Sequence, residues 1–305
     1  MLWGWLVAVA LDLGALASLI FFSALYAPIY VAISLGFNIL FSSTRIINIA
    51  YGDLVMIGAY MAYWLYTLYS IPPMASVLVA IALGSSIGFL LYITIFRRIL
   101  RLRSIPAIEE QSIISTFGLS MAIQGVAAYI WSPAAVSYTY LDVGIRFSGL
   151  LVPINLLVIM AVGVILAIAI YVLLYRSYLG IALRGAIQSP QLAEDIGLDI
   201  DRVYMIATVI AVSLPIAVGA VISMRAQISP FMGVEYLVIA LIVTALGGLG
   251  NPLGSLFGAL LYSIMDSLVS YILPPGLKLF YLYMLFLAVL LARPTGIMGK
   301  TYVVR

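Results

Sequence analysis

Leu150 to Tyr175 reads LLVPINLLVIMAVGVILAIAIYVLLY, and the chain then turns abruptly polar over Arg176 to Arg202, RSYLGIALRGAIQSPQLAEDIGLDIDR. At about 1.5 Å per residue, roughly 20 apolar residues cross the hydrocarbon core of a bilayer, so the first stretch can span and the second cannot. Comparable windows recur at roughly 2–22, 24–43, 48–69, 74–96, 112–131, 203–224, 254–272 and 278–292, with a shorter glycine-ended piece at 236–250. Prolines punctuate them at Pro72-Pro73, Ser132-Pro133, Ser189-Pro190, Asn251-Pro252 and Pro274-Pro275, where helices stop or turn. The expectation is an all-α polytopic membrane protein of eight to ten transmembrane helices, with ten as the central count. Residues 1–305 form one domain, and 176–202 is its one long polar insertion.

Composition agrees. Of 305 residues, 65% are hydrophobic and 8% charged, whereas an average soluble domain carries about 25% charged residues. The mean hydropathy is +1.23, which excludes a water-soluble globule. Met1 to Phe22 lacks a basic leading region and a small-residue cleavage site, so it is expected to stay in the chain, either as a span or as an interfacial helix. Asp12 within it is costly against lipid unless it faces the bundle.

Basic residues orient the chain. Arg97, Arg98, Arg101 and Arg103, then Arg176, Arg184 and Arg202, then Arg293, Lys300 and Arg305 account for ten of its 14 Lys and Arg. Even numbers of expected crossings separate these three groups, so all can share one face, and the positive-inside rule makes that face cytoplasmic. The C-terminus is then inside, and ten spans place the N-terminus inside as well. A net charge of +3 follows from this loop bias and needs no nucleic-acid partner.

The chain has no Cys and no His, which removes thiol nucleophiles, imidazole bases and the usual zinc ligands. No clustered carboxylates suggest a catalytic or divalent metal site. The tail Gly296-Ile-Met-Gly-Lys-Thr301 imitates a phosphate-binding loop, but Pro294 stands where its first glycine belongs and too few residues follow for a helix. No cofactor is expected to bind this chain.

Several stretches carry candidate function. The insertion's apolar positions Leu179, Ile181, Ala182, Leu183, Ala186 and Ile187, then Leu192, Ala193, Ile196 and Leu198, read as short amphipathic helices against the membrane face. Such an element either docks in a groove of a soluble partner or is a solvated loop. Ser42 to Asp53 places Arg45, Asn48, Gly52 and Asp53 between two spans or inside a broken one. It is a wall of a translocation path, where irregular backbone is tolerated at membrane depth, or a tight cytoplasmic turn. Gly247, Gly248, Gly250, Gly254 and Gly258 serve close helix contact, a hinge, or both. The two glycine-containing breaks fall in opposite halves of the chain, as in an internal repeat. Asp266, inside an expected span, is either a substrate contact or a bundle-facing hydrogen-bonding group. Arg225 and Glu235 flank an external loop, as contacts for a docked protein or as solvated rim charges.

Five pieces in order resemble the permease subunits of branched-chain amino-acid ABC importers, LivH type. They are Gly36-Phe37-Asn38 with Ile46 to Asp53 and Met56 to Tyr60; Gly118-Leu119-Ser120 with Gln124; Ser177 to Ala186 with Gly197-Leu198 and Asp201-Arg202-Val203; Ala245 to Gly250 with Gly254 and Gly258; and Arg293 to Gly299. The similarity covers about residues 20 to 300. It departs at Tyr51, where the family has His, at Ser189, where it has Asp, and at Ile239, where it has a basic residue. The first departure removes any His-dependent proton step. The second reduces the charge available for an ATPase contact.

The resemblance implies a single transmembrane permease domain that is non-catalytic and sits multi-pass in the cell membrane. It implies an ATPase-coupling loop with Gly180, Ala182, Arg184, Gln188, Ala193, Glu194, Asp195 and Gly197 at the contact. It implies a translocation path or gate that includes Asn38, Asn48, Gly52, Asp53, Gln124, Gly247, Gly248, Gly250 and Asp266, and a binding-protein contact at Arg225 and Glu235. The implied partners are a second permease subunit (LivM type) or a second copy, two cytoplasmic ABC ATPase subunits that use ATP and Mg, an extracytoplasmic substrate-binding protein, and the lipid bilayer. A stand-alone secondary transporter or channel would instead show paired intramembrane acids or polar filter rings, and an integral-membrane enzyme would need the side chains this chain lacks.

Overall fold

The computed structural model describes residues 13–102, 104–147, 150–272, 274, 277–292, 296 and 298. The described chain is mainly helical. Helix α1 is Leu13–Thr44, α2 Tyr51–Tyr69 and α3 Pro73–Leu91, which continues through a π-helical turn, Tyr92–Phe96, and a last turn, Arg97–Ile99. Helix α4 is Ile105–Trp131; strands β1 (Gly144–Phe147) and β2 (Leu150–Pro153) form an antiparallel hairpin; α5 is Ile154–Arg176. The insertion holds α6 (Tyr178–Gln188) and α7 (Pro190–Asp195), and then come α8 (Ile200–Ile222), α9 (Gly233–Gly247), α10 (Pro252–Ile272) and α11 (Lys278–Ala292).

Among the described residues, six stretches are long and apolar enough to cross a membrane: Ala17–Thr44, Pro73–Ile99, Ile105–Trp131, Ile154–Arg176, Ile200–Ile222 and Leu253–Ile272. The windows expected at 2–22 and 24–43 are not separate helices where they are described, because α1 runs unbroken from Leu13. Ser23 folds its hydroxyl back onto the Leu19 carbonyl at 2.7 Å, so its polarity causes no break. Pro28 sits inside the helix, with Gly163 of α5 closing onto it. Asp12 lies outside the described residues.

Helix α8 is the axis of the bundle. From Ala211 to Ile222 every residue is buried. Its neighbours come close through glycine: Gly84 and Gly88 of α3 lie against the α8 backbone at Ser213 and Val209, and Gly58 of α2 lies against Ile216. Without a hydrophobic drive between helices in lipid, such small-residue contacts supply the packing. Helix α4 is the opposite case, with Ile114, Phe117, Met121 and Tyr129 exposed along it. Only one of its faces, recurring every fourth residue at Ser112, Thr116, Ser120 and Gln124, is buried, and that face is polar.

Candidate functional site

The first break lies between α1 and α2. Thr44 ends α1 and Arg45 takes a left-handed φ of 59°, after which residues 46–50 run without helical bonds. Their backbone groups are satisfied by the polar face of α4: Ser112 Oγ accepts from Ile47 N (3.1 Å), Thr116 Oγ1 accepts from Ile49 N (2.9 Å), and the Thr116 hydroxyl contacts the Ile47 carbonyl (3.1 Å). Irregular backbone at membrane depth persists only when buried in protein with such partners. Ser112 and Thr116 are not among the residues expected from the sequence. Their signal was a polar residue every fourth position inside an otherwise apolar window.

One turn further, Asp53 stands in the first turn of α2, where the positive end of the helix dipole favours a carboxylate. It is 2% exposed and accepts from Ser120 Oγ (2.5 Å) and Gln124 Nε2 (3.0 Å). Gly52 touches Gly233, the first residue of α9, and Gly233 lies directly against the Asp53 carboxylate. No side chain fits at either glycine. Helices α2 and α9 therefore start against each other and run to opposite ends of the bundle: α2 toward the Tyr66–Tyr138–Tyr140 aromatic cluster of the 132–143 loop, and α9 toward Gly248. In that loop the half-buried Tyr138 phenol is pushed up to about 12 by desolvation and shares a 2.8 Å hydrogen bond with Ser223. Asn48 is fully buried, and neither polar atom of its side chain has a hydrogen-bond partner among the described residues. Tyr51, at the family's His position, donates to the Ile33 carbonyl (2.6 Å) and fills the α1 interface.

The second break is the turn from α9 to α10. Gly248 and Gly250 adopt φ of 103° and 86°, which side chains rarely take, while Gly247, Gly254 and Gly258 let the two helices touch backbone to backbone. Gly248 and Gly250 thus shape the turn, while Gly247, Gly254 and Gly258 make the close helix contact. Asn38 of α1 clasps the turn: its Nδ2 donates to the Asn251 carbonyl and to Ser255 Oγ (3.0 Å each), and its Oδ1 accepts from Gly250 N (2.9 Å) and Ser42 Oγ (2.8 Å). Asp266 lies about three turns beyond Ser255 on α10, beside Tyr30 and Tyr262, and is not part of either break. Arg225 Nη1 donates to Asn155 Oδ1 (3.0 Å), and Glu235 is exposed in the first turn of α9.

The insertion is built by three successive caps. Ser177 Oγ accepts from Gly180 N to start α6, Ser189 Oγ accepts from Leu192 N to start α7, and Asp199 accepts from Arg202 N to start α8. Gly197, at φ 87°, provides the left-handed exit from α7. Gly180, Ala182, Leu183, Ala186 and Ala193 face the bundle; Gly180 sits so tightly on the Leu173 and Leu174 carbonyls that a β-carbon would collide with them. Of the apolar positions expected to lie against the membrane domain, Leu179, Ile181, Leu192 and Ile196 instead point away and are exposed, Ile196 by 79%. Gln188, Glu194, Asp195 and Gly197 share that exposure. Arg184 turns inward, with its guanidinium 5.0 Å from the Tyr175 ring centroid. It lines a cavity of about 250 Å³ together with Ser42, Leu249, Gly250 and Asn251, so the insertion abuts both the end of α1 and the second break. The far end of the insertion is pinned to α3, where Tyr92 and Arg97 both bind Asp201 (2.8 and 3.0 Å).

A polytopic helical bundle with two interruptions of its helices, the second of them abutting a packed polar insertion, is consistent with a membrane permease. The family described as branched-chain amino acid transport system / permease component matches residues 19–290, and the chain belongs to it. A probable branched-chain amino acid transport permease protein LivH of Methanocaldococcus jannaschii is 27% identical over 292 residues, covering 90% of each chain. BraD, a high-affinity branched-chain amino acid transport system permease protein of Pseudomonas aeruginosa, is 25% identical, covering 89% of this chain and 92% of its own. LivH of Escherichia coli is 24% identical, covering 89% and 91%. No solved structure matches the chain. It is accordingly a multi-pass protein of the inner membrane.

Proposed function

We propose that this chain is one single-domain permease subunit of an ABC importer for branched-chain or related small amino acids. It pairs with a second permease, LivM-like or a second copy, receives substrate from an external binding protein, and binds no nucleotide itself. Two cytoplasmic ATPase subunits drive it. In this reading the face that carries residues 97–102 and 176–202 is cytoplasmic, the nine long helices α1 to α5 and α8 to α11 are embedded in the membrane, and α1 begins on the outer side.

One observation carries the proposal. The two-helix insertion is fitted to the bundle through Gly180, Ala182 and Ala193 yet leaves Ile181, Leu192 and Ile196 uncovered on its far side, outside the spans, where lipid does not account for apolar exposure. An apolar helix face of this kind suits a groove in a soluble partner. ATPase closure would press the insertion, through Arg184, toward Ser42 and Asn251, and Asn38 would pass that displacement between α1 and the second break. Coupling then means that the two bundle conformations differ in affinity for the closed ATPase pair and for the loaded binding protein. Co-reconstituted with its partners in proteoliposomes, the chain supports ATP-dependent leucine uptake that the Ile181→Asp variant loses. Equal uptake without ATPase subunits would refute the proposal.

A further inference from the structure

The importer reading leaves the substrate without a place on this chain, and the end of the bundle opposite the insertion holds a suitable one. A cavity of about 230 Å³ opens where α1, α5, α8 and α9 converge, lined by Tyr26, Tyr30, Ile159, Ile222, Arg225 and Tyr236. It is below the roughly 300–1,000 Å³ of sites for drug-sized ligands, which suits a molecule the size of an amino acid.

Its lining combines one cation with aromatic and aliphatic surface. Arg225 is positioned by Asn155, which is 2% exposed and is itself held by donation from its Nδ2 to the Tyr140 carbonyl (3.3 Å). The group that accepts from Arg225 is a neutral amide, so the guanidinium is oriented and keeps donors for a carboxylate. Tyr26, Tyr30 and Tyr236 add ring faces; Tyr30 is stacked on Tyr26 at 6.4 Å and meets Tyr262 edge-on at 5.1 Å. Such aromatic faces attract an ammonium. Ile159 and Ile222 add aliphatic surface.

We infer that this cavity is a subsite, inside a single permease protomer, for a zwitterionic α-amino acid with an aliphatic side chain. The carboxylate lies on Arg225, the ammonium lies toward Tyr30 and Tyr236, and the side chain lies against Ile159 and Ile222. The inference rests on the importer reading for the class of substrate. Tyr236 belongs to the first turn of α9, the same turn whose Gly233 touches Gly52 and Asp53, so an occupant bears on the helix pair that meets at the first break. Arg225, expected to contact a docked protein, is thereby given a role within the bundle.

The test is binding of tritiated L-leucine to the assembled transporter in nanodiscs without its binding protein. Saturable binding is expected. Isoamylamine, which lacks the carboxylate, and 4-methylpentanoate, which lacks the ammonium, are each expected to compete at least about tenfold more weakly than leucine. Arg225→Gln weakens leucine binding about tenfold to hundredfold, and Ala226→Phe, at a further residue that lines the cavity, fills it while keeping the arginine and weakens binding comparably. Wild-type affinity in both variants overturns the inference. So does the absence of leucine binding by a complex whose ATPase still responds to loaded binding protein, a result that leaves the importer reading standing. An ATPase indifferent to every amino-acid-loaded binding protein overturns both.

Discussion

Replacing Asn38 by Ala should unfasten α1 from the second break. The substitution deletes four hydrogen bonds, but they are not equivalent. Ser42 keeps its bond to the backbone carbonyl of residue 38 and the Asn251 carbonyl still accepts from Gly254 N, so two groups are left without this partner: Gly250 N and Ser255 Oγ. A buried group left unpaired costs about 1–3 kcal/mol. Ser255 is fully buried, whereas Gly250 is partly accessible and can recruit water, so the low end applies to Gly250 and the total is about 2–4 kcal/mol. At roughly 2 °C per kcal/mol for a chain of this size, the thermal midpoint of the purified protein should fall by about 4–8 °C, measured by scanning fluorimetry in detergent. Ser42→Ala, which removes one of the four bonds without orphaning Gly250 N or Ser255 Oγ, should cost under about 1.5 kcal/mol. An Asn38→Ala midpoint within a degree of wild type, or one no lower than that of Ser42→Ala, would refute the clasp.

Other perturbations separate packing from coupling. Gly180→Val forces the insertion off the Leu173 and Leu174 carbonyls and should abolish binding-protein-stimulated ATPase activity while membrane insertion, followed by fractionation, stays intact. Asp53→Leu strands the Ser120 and Gln124 side chains and should destabilise by about 2–4 kcal/mol, whereas Asp53→Asn, which keeps the shape, should cost less; denaturation midpoints rank the two. Gly52→Ala has no space for its methyl against Gly233 and should cost more than Gly118→Ala, where a β-carbon meets nothing, again by midpoint. Single-cysteine labelling, convenient in a chain with no Cys, should reach Pro190→Cys from the cytoplasm and Asp142→Cys from outside, and reversed labelling would overturn the orientation.

Much of this architecture was legible in the chain. Apolar windows marked the spans, and the interruptions at Asn48–Asp53 and Gly247–Gly250 were visible because polar residues and glycines are conspicuous against leucine and isoleucine. What stayed hidden depends on long-range placement. Nothing local says that Asn38 meets Gly250 across 212 positions, or that Gly52 needs to be small because of Gly233. The windows at 2–22 and 24–43 divided what is one helix from Leu13, in which the Ser23 hydroxyl is absorbed by its own helix. An amphipathic pattern shows that the insertion has two sides but not which residues each side keeps: Arg184, charged, turns in to Tyr175, while Ile181 and Ile196 turn out. The polar ladder of α4 could have been read in advance, since four polar residues at a spacing of four inside a span mark a face that needs a polar partner.

Coupling in this transporter turns on ATPase contact with the outer face of the insertion. Oxidative crosslinking between single cysteines in this chain and in the ATPase subunit, in native membranes, should capture Ile181→Cys and Ile196→Cys and leave Ala182→Cys and Ala193→Cys uncaptured, with ATP and the loaded binding protein changing the yield at the exposed pair. Capture of the buried pair as readily as the exposed pair, or no capture at any of the four, would contradict it.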